Sequence, residues 1–290
     1  MVEDKKGVLF LCATPIGNLE DITLRALRVL READIIAAED TRRTRKLLSH
    51  YDIHTPLTSY HHHNRKGKGG HLLNMLASGK NIALVSDAGL PGVSDPGSEL
   101  AASALEKGFD VVAVPGPSAG ITALVVSGLS TDSFFFAGFL PASAGARRRK
   151  LDALSRQEGT LIFYEAPHRL RATLADMLDI FGDRPAALAK ELTKIHEEVV
   201  RGSLQNILDY SKEKEPRGEF TIVVSGALHD ELREKERAVR LRMSPAACVA
   251  VLEEGEMSRK EAIREAARLY DLPKKEVYRA VVESKKGGEK

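Results

Sequence analysis

The chain has 290 residues, is 43% hydrophobic and 29% charged, and carries a formal net charge of +2. That length fits one or two domains with a real core, while the near-neutral balance excludes the global basic field of a general nucleic-acid binder. Two distant cysteines, Cys12 and Cys248, exclude a disulfide framework and a cysteine-based zinc site. No apolar run approaches the roughly 20 residues of a membrane span, and no signal-peptide core precedes the first strand-like segment, so a cytoplasmic setting is expected.

Strand-like apolar runs alternate with amphipathic stretches along most of the chain. Residues 8–13 read as a buried strand, followed by the turn Thr-Pro-Ile-Gly-Asn at 14–18. Asp21 is expected to cap a helix whose Leu24, Leu27 and Leu30 recur at helical spacing. Residues 34–38 predict a second strand and 41–50 a basic helix. Two further strands are expected at 81–86 and 110–114. Such alternation predicts a mostly parallel sheet with helices on its faces. Gly128 and a polar Ser-Thr-Asp-Ser stretch place a boundary at 127–132. The pattern then restarts, with strands at 134–138, 160–164, 186–190 and 219–225 and helices at 147–156, 167–181 and 203–211. A second boundary is expected at 227–236, where the sequence turns highly charged. Beyond it a helix capped by Ser258 and another beginning at Asp271-Leu-Pro273 make the tail helical, like a helix-turn-helix. The expectation is an α/β fold: two α/β domains, 1–127 and 128–230, with a small helical domain at 231–290.

Three loops leave strand ends and are rich in glycine and proline: 14–18, 87–97 (Asp-Ala-Gly-Leu-Pro-Gly-Val-Ser-Asp-Pro-Gly) and 115–119 (Pro-Gly-Pro-Ser-Ala). Glycine admits close approach of backbone to a ligand, and proline fixes loop shape in advance. Open α/β sheets bind ligands beyond the carboxyl ends of their strands. Neither the dinucleotide glycine fingerprint nor a P-loop is present. From the residues alone, the chain is a ligand-binding α/β protein with its ligand unnamed.

The segments 14–23 (Thr-Pro-Ile-Gly-Asn-Leu-Glu-Asp-Ile-Thr), 38–42 (Ala-Glu-Asp-Thr-Arg), 86–97 and 115–119 resemble the tetrapyrrole methylase superfamily. With 163–169 (Phe-Tyr-Glu-Ala-Pro-His-Arg), 190–198 (Lys-Glu-Leu-Thr-Lys-Ile-His-Glu-Glu) and 218–226 (Gly-Glu-Phe-Thr-Ile-Val-Val-Ser-Gly), they resemble its ribosomal RNA small subunit methyltransferase I family. The resemblance runs in order over residues 7–226. It implies S-adenosylmethionine in a cleft between two α/β domains, a homodimer, and methylation of a decoding-region cytidine 2′-oxygen of 16S rRNA. It carries cofactor contacts to Pro15, Ile16 and Gly17, to Asp87, Gly89, Leu90 and Val93, to Ser118 and Ala119, and to Tyr164, Phe220 and Thr221. Tetrapyrrole-acting members show Gly-Asp-Pro in the central loop. Here residues 89–91 read Gly-Leu-Pro, so a carboxylate at position 90 does not transfer.

A ribose hydroxyl is a poor nucleophile, so a base or a cation is wanted near it; nothing in the reaction requires a metal. The strand-end runs nominate Arg42 of the Glu39-Asp-Thr-Arg-Arg43 segment, Lys190 with Glu191, and Asp95. Glu39 and Asp40 also read as an N-capping acidic pair ahead of a solvated helix, Lys190–Glu191 as a strand-end salt bridge, and Asp95 as a clamp on its own loop. Substrate contact is expected of Arg43, Arg65, His168 and Arg169, with a capping or interdomain role open for the last two. Basic clusters at 42–46, 65–68 and 147–150 read as phosphate contacts or as solvated faces. His61-His62-His63 lacks the cysteine or acidic neighbours of a metal site, and its bland reading is a polar loop. The expected partner is 16S rRNA in the assembled 30S subunit. The rival readings are a tetrapyrrole-precursor methylase and a non-catalytic RNA-binding assembly factor.

Overall fold

The structure, a computed structural model, describes residues 6–95, 97–213, 215–227, 244–254, 257–270 and 272–286. It divides into two compact units, Met1–Gly226 and Ala227–Lys290.

In the first unit, β1 (Val8–Cys12), β2 (Ile35–Ala38), β3 (Leu57–Ser59), β4 (Ile82–Val85) and β5 (Asp110–Val114) form one sheet in the order β3-β2-β4-β1-β5. Every pairing in it is parallel. Helices α1 (Leu24–Glu32), α2 (Thr41–His50), α3 (Arg65–Ala77) and α4 (Gly97–Glu106) join successive strands. Because side chains alternate along a strand, Cys12, Ile36, Ala38 and Val85 pack under α1 and α2 with Val29, Leu30 and Leu48. Leu9, Ala37, Ile82 and Leu84 pack on the other face with Leu72, Leu76 and Leu100 from α3 and α4. Both faces of β1, β2 and β4 are covered, which is why these inner strands read as continuous apolar runs.

Asp21, expected to cap α1, instead closes a 3-10 turn at Leu19–Asp21. The cap is Thr23, whose Oγ1 accepts from the Ala26 N–H at 3.1 Å. The Leu24 side chain, counted as part of the helix's apolar stripe, is 87% exposed, so Ala26, Val29 and Leu30 make the buried face.

The second sheet contains β6 (Phe134–Phe139), β7 (Thr160–Glu165), β8 (Pro185–Lys190), β9 (Glu198–Ser203) and β10 (Phe220–Val224), in the order β6-β7-β10-β8-β9. Only β6–β7 is parallel; β7–β10, β10–β8 and β8–β9 are antiparallel. Strand β9, which the sequence reading missed, alternates exposed and half-buried positions at the sheet edge and shows no continuous apolar run. Helices α6 (Ala144–Leu154), α7 (Leu170–Phe181) and α8 (Leu204–Glu213) cover one face through Leu151, Leu174, Phe181 and Ile207. The other face receives α5 (Ala119–Ser127), whose Ala123 and Leu124 pack on Ile162, Ala189 and Val223. Thus α5 leaves the first sheet and caps the second, ending at Gly128 in the left-handed conformation.

The second unit, by itself, holds three helices among the described residues: α9 (Pro245–Glu254), α10 (Arg259–Tyr270) and α11 (Lys274–Lys286). Ser258 and Glu261 form a reciprocal capping box at the start of α10. Val249, Ala262, Ala266, Val277 and Val281 form its core. Helix α9 was not foreseen, so the expected pair of helices is a bundle of three. Asp271 and most of the expected 227–236 boundary lie outside the described residues. No described helix is long and apolar enough to cross a membrane.

Candidate active site

A cavity of about 480 Å³ opens where the carboxyl ends of β2, β4 and β5 meet the ends of β6, β7, β8 and β10. The size falls in the range of about 300–1,000 Å³ usual for small-molecule sites. Ile16, Asp87, Gly89, Leu90, Val93, Ser118, Ala119, Tyr164, Phe220 and Thr221 all line it. Pro15 and Gly17 line instead an adjoining cavity of about 290 Å³, which shares Ile16, Arg43 and Asp87 with the first. Gly17 sits so close to the second sheet's loops that a Cβ there would lie 2.5 Å from Lys194 Cγ and 2.7 Å from Thr193 Oγ1.

The loops are cross-tied by backbone. Thr14 and Gly89 exchange both hydrogen bonds, at 2.9 and 3.0 Å, in an isolated antiparallel bridge. Gly89 has φ +80, and a Cβ on it would meet Pro117 O at 3.4 Å and Ile16 Cγ2 at 3.5 Å. Glycine is needed there for its conformation, and its bareness leaves the space between the three loops open. Asp95 Oδ1 accepts from Gly92 N at 2.8 Å and Gly97 N at 2.7 Å, clamping the same loop. Burial pushes the Asp95 carboxyl up from its ordinary value, against the pull of those amides and that of Val93. From the other sheet, Tyr164 Oη accepts from the Gly120 N–H of α5 at 3.1 Å. Its ring packs edge-on against Phe136 and Phe139, and burial raises the phenol above its usual value.

Asp87 Oδ1 accepts from Asp40 N at 2.9 Å, and Oδ2 pairs with Arg43 at 3.4 Å. Asp40 caps α2 by accepting from Arg42 N, and Arg42 folds back on it through Nη2 at 2.8 Å. The Arg42 hydrogen bond holds the Asp40 carboxyl well below the usual range. Arg42 is largely exposed and outside the lining of both cavities, whereas Arg43 lines both. Glu39 was read with Asp40 as a capping pair; only Asp40 caps, and Glu39 lines the larger cavity.

Lys190 reaches Glu198 at 3.9 Å. Glu191, at φ 51, accepts from Lys194 Nζ and from Glu219 N, both at 2.8 Å. Burial alone would raise the Glu191 carboxyl, but Lys194, the Glu219 amide and Lys190 together hold it below its ordinary value. Neither Lys190 nor Glu191 lines either cavity; their neighbours Ala189 and Leu192 line the larger one. Arg169 forms a 2.6 Å pair with Glu165, which is 2% exposed, and donates to Leu140 O, so it braces the Glu165-Ala166-Pro167 wall. Glu165 also accepts from Thr173 Oγ1. His168 is exposed and outside the linings, and Arg65 is paired with Glu99.

Of the 147–150 basic cluster, Arg147 is buried against Asp176 at 2.7 Å and Arg148 spans Asp176 and Asp179. These two arginines fasten α6 to α7. His61, His62 and His63 line neither cavity. Among the described residues, no three His, Cys, Asp or Glu side chains are grouped to hold a metal. Leu192, Gly218 and Glu219 line the larger cavity from within the 190–198 and 218–226 segments without having been named as site residues, and Phe139, at the end of β6, lies outside every motif.

Comparison with known proteins completes the picture. The profile of the Tetrapyrrole (Corrin/Porphyrin) Methylases matches residues 8–208. The chain is 48% identical over 275 residues to "Ribosomal RNA small subunit methyltransferase I" of Halalkalibacterium halodurans, covering 95% of this chain and 94% of that one. It is 47% identical over 274 residues to the protein of that name from Bacillus subtilis, covering 94% of each. Among solved structures, a uroporphyrin-III-C-methyltransferase from Thermus thermophilus has a TM-score of 0.55 at 22% identity, over 76% of this chain and 94% of that one. A diphthine synthase reaches 0.58 at 15% identity, over 77% and 92%. At those identities the two structures share the fold. The chain belongs to the tetrapyrrole methylase family, and within it to the ribosomal RNA small subunit methyltransferase I group.

Proposed function

We propose that this chain uses S-adenosylmethionine to methylate the ribose 2′-hydroxyl of a decoding-region cytidine in 16S rRNA, acting on the assembled 30S subunit. The observation that carries the reading is the larger cavity, whose lining gathers all of the expected cofactor residues except Pro15 and Gly17. The residues suit the group. Ile16, Leu90, Val93, Ala119 and Phe220 offer apolar walls for a purine, and the bare Gly89 leaves room between the loops. Glu39, Asp87 and Asp95 set carboxylates around a space that would take a cationic ligand. When bound, the cofactor supplies an electrophilic methyl group on a sulfonium.

The chain's own work is chiefly positioning, because an in-line displacement gains most from fixed geometry. Loop 87–97 and Ser118–Ala119 hold the donor side, and Tyr164, Phe220 and Thr221 close it from the second sheet. Asp95, Lys190, Glu191 and Arg42 act as positioning residues: Asp95 shapes the glycine loop, Glu191 with Lys190 sets the turn bearing Leu192, and Arg42 secures the Asp40 cap. Arg43, at the junction of the two cavities, is assigned to the RNA backbone together with Arg65 and His168, and Arg169 holds the adjoining wall. A net charge of +2 favours a folded ribosomal particle over a tight grip on naked RNA.

We assign 1–127 and 128–230 to two α/β domains and 231–290 to a helical tail, and the chain to the cytoplasm. The exposed Ile121, Val125, Phe134 and Phe135 supply apolar surface for a homodimer; light scattering should give twice the chain mass. The test of function is ribose-methylation mapping of rRNA from cells lacking the gene, with add-back of the purified chain. Loss of one cytidine methyl in the decoding region, restored by add-back, is expected; an unchanged pattern refutes the reading. Activity on uroporphyrinogen instead would favour a tetrapyrrole methylase, and failure to bind cofactor at millimolar concentration would favour an assembly factor.

A further inference from the structure

Five carboxylates line the larger cavity among the described residues: Glu39, Asp87, Asp95, Glu165 and Glu219. Four are committed to holding the site together. Asp87 accepts from Asp40 N and pairs with Arg43. Asp95 accepts from the amides of Gly92 and Gly97. Glu165 is buried in its pair with Arg169 and its bond from Thr173. Glu219 pairs with Lys194 at 3.1 Å at an exposed position. Glu39 differs. It stands immediately beyond β2, where active-site groups of parallel sheets gather. It makes no ion pair among the described residues, and the nearby Arg43 guanidinium is engaged by Asp87.

Resting on the methyltransferase reading above, we infer that Glu39 is the general base that takes the proton from the acceptor hydroxyl. The step balances without another reactant. The acceptor oxygen bonds the methyl carbon, the carbon–sulfur electron pair returns to sulfur, and the hydroxyl proton passes to the Glu39 carboxylate and then to water. The surroundings favour this. Burial raises the Glu39 carboxyl first, then the negative charges of Asp87 and Asp95 raise it further, against the Asp87 amide and Arg43, which lower it. Tyr164, Glu165 and Glu219 are the remaining titratable groups lining the cavity. A carboxylate whose charged form is disfavoured is a stronger base than one in water.

Such a group is held at a cost to folding whenever it is ionised, so its removal should not destabilise the chain near neutral pH. That separates a base from a brace. The experiment uses the full chain, S-adenosylmethionine and 30S subunits from cells lacking the gene. Glu39→Gln should lower kcat by about 10²–10⁴-fold, and Glu39→Asp should recover part of it. Cofactor affinity should fall far less than kcat, by no more than about tenfold, or 1.4 kcal/mol, for the loss of one carboxylate beside a cation. The midpoint of thermal unfolding near neutral pH should be unchanged or higher. A readout independent of turnover is calorimetry of cofactor binding at mildly acidic pH in buffers of differing ionisation enthalpy. The wild-type chain should release protons as a cation enters beside Glu39, and the glutamine variant should release measurably fewer, since Asp95 alone of the raised carboxyls then remains. Retention of kcat within threefold, equal losses of cofactor affinity and turnover, or a lowered unfolding midpoint would each overturn the assignment while leaving the methyltransferase reading intact. A wild-type chain that binds no cofactor overturns both.

Discussion

Replacing Tyr164 by Phe tests how far the Tyr164 hydroxyl fastens the start of α5, which follows the first sheet, to the second sheet. Tyr164 Oη accepts from the Gly120 N–H at 3.1 Å, and Gly120 is a buried residue in the first turn of α5. The change keeps the ring, and with it the edge-on contacts to Phe136 and Phe139 at centroid distances of 5.0 and 5.6 Å, so the packing term is close to zero. What remains is a backbone donor that has lost its acceptor. A buried, unsatisfied donor costs about 1–3 kcal/mol. Because the cavity beside it admits water when empty, the lower half, about 1–2 kcal/mol, is expected. For a chain of this size that lowers Tm by about 2–4 °C per kcal/mol. The matching effect on function is a weaker hold on cofactor, since Ala119 and Ser118 beside Gly120 line the cavity. The assays are urea unfolding and calorimetric titration with S-adenosylmethionine. A variant indistinguishable from wild type in both would show that the hydroxyl ties nothing.

Asp87→Ala and Phe220→Leu lie on different sheets, yet each should weaken cofactor binding by about tenfold, or 1.4 kcal/mol; loss from only one would place the cleft wrongly. Arg147→Met leaves Asp176 facing a partly exposed Arg148 alone and should cost about 3 kcal/mol by denaturant unfolding, as one-sided removal of a buried pair does. Burial raises the Asp176 carboxyl, but Arg148 and Arg147 together hold it below its ordinary value. A depressed folded pKa contributes stability above the unfolded value of about 3.9, and that stability is lost as pH falls through the folded value. The difference between wild type and Asp176→Asn should therefore shrink below about pH 4; a constant difference would discount the ion pairs. Gly218 has φ +90, and a Cβ on it would lie 2.5 Å from the Glu191 carboxyl, whereas Gly128, at φ +77 and ψ 6, has nothing within 4 Å. Both alanine variants carry left-handed strain of about 1–2 kcal/mol, so a larger loss of stability and cofactor affinity at Gly218 measures the Glu191 clamp. Equal losses at both would mean that the clamp contributes nothing.

Elements whose burial repeats at a fixed period were legible in the chain, and those set by contacts across it were not. Strands β1, β2 and β4 are covered on both faces and announce themselves as apolar runs, and the edge strand β5, largely exposed or half-buried, is read from its Val-Val-Ala-Val run. Strands β3 and β9 are edge strands with half-buried or alternating faces, and their pairing is decided by β2 and β8. Asp21 and Thr23 are both good cap residues two positions apart; what selects Thr23 is the 3-10 turn at Leu19–Asp21, whose geometry is closed by Ile22 N and Leu19 O. The antiparallel pairings of the second sheet were hidden because β9, which reverses the chain against β8 so that β10 runs antiparallel between β7 and β8, does not stand out in the sequence. At the site, glycine-rich loops were readable since their shape is a backbone property. The roles of carboxylates were not, because whether an acid caps, clamps or faces the cavity depends on which amide or guanidinium from another element reaches it.

Glu39 and Asp40 make the point most sharply, since sequence treats them as one acidic pair. Alternation at the end of β2 sends neighbouring side chains to different sides of the chain. Asp40 turns to the first amides of α2, where the helix terminus and Arg42 stabilise its charge. Glu39 turns into the cavity, where Asp87 and Asp95 oppose its charge. Two adjacent carboxyls are thus moved in opposite directions from ordinary values, Glu39 upward by burial and then by Asp87 and Asp95, Asp40 downward by Arg42. Separation of this kind is how a site keeps one acid as scaffold and leaves another free to exchange a proton. The same logic distinguishes Arg42 from Arg43: the first is spent on the cap, and the second stands at the junction of both cavities. The variant pair Arg42→Gln and Arg43→Gln therefore should diverge, with loss of stability from the first and loss of affinity for the 30S subunit, with a shallower salt dependence, from the second. If both variants lose only stability, the junction of the two cavities is not where RNA enters.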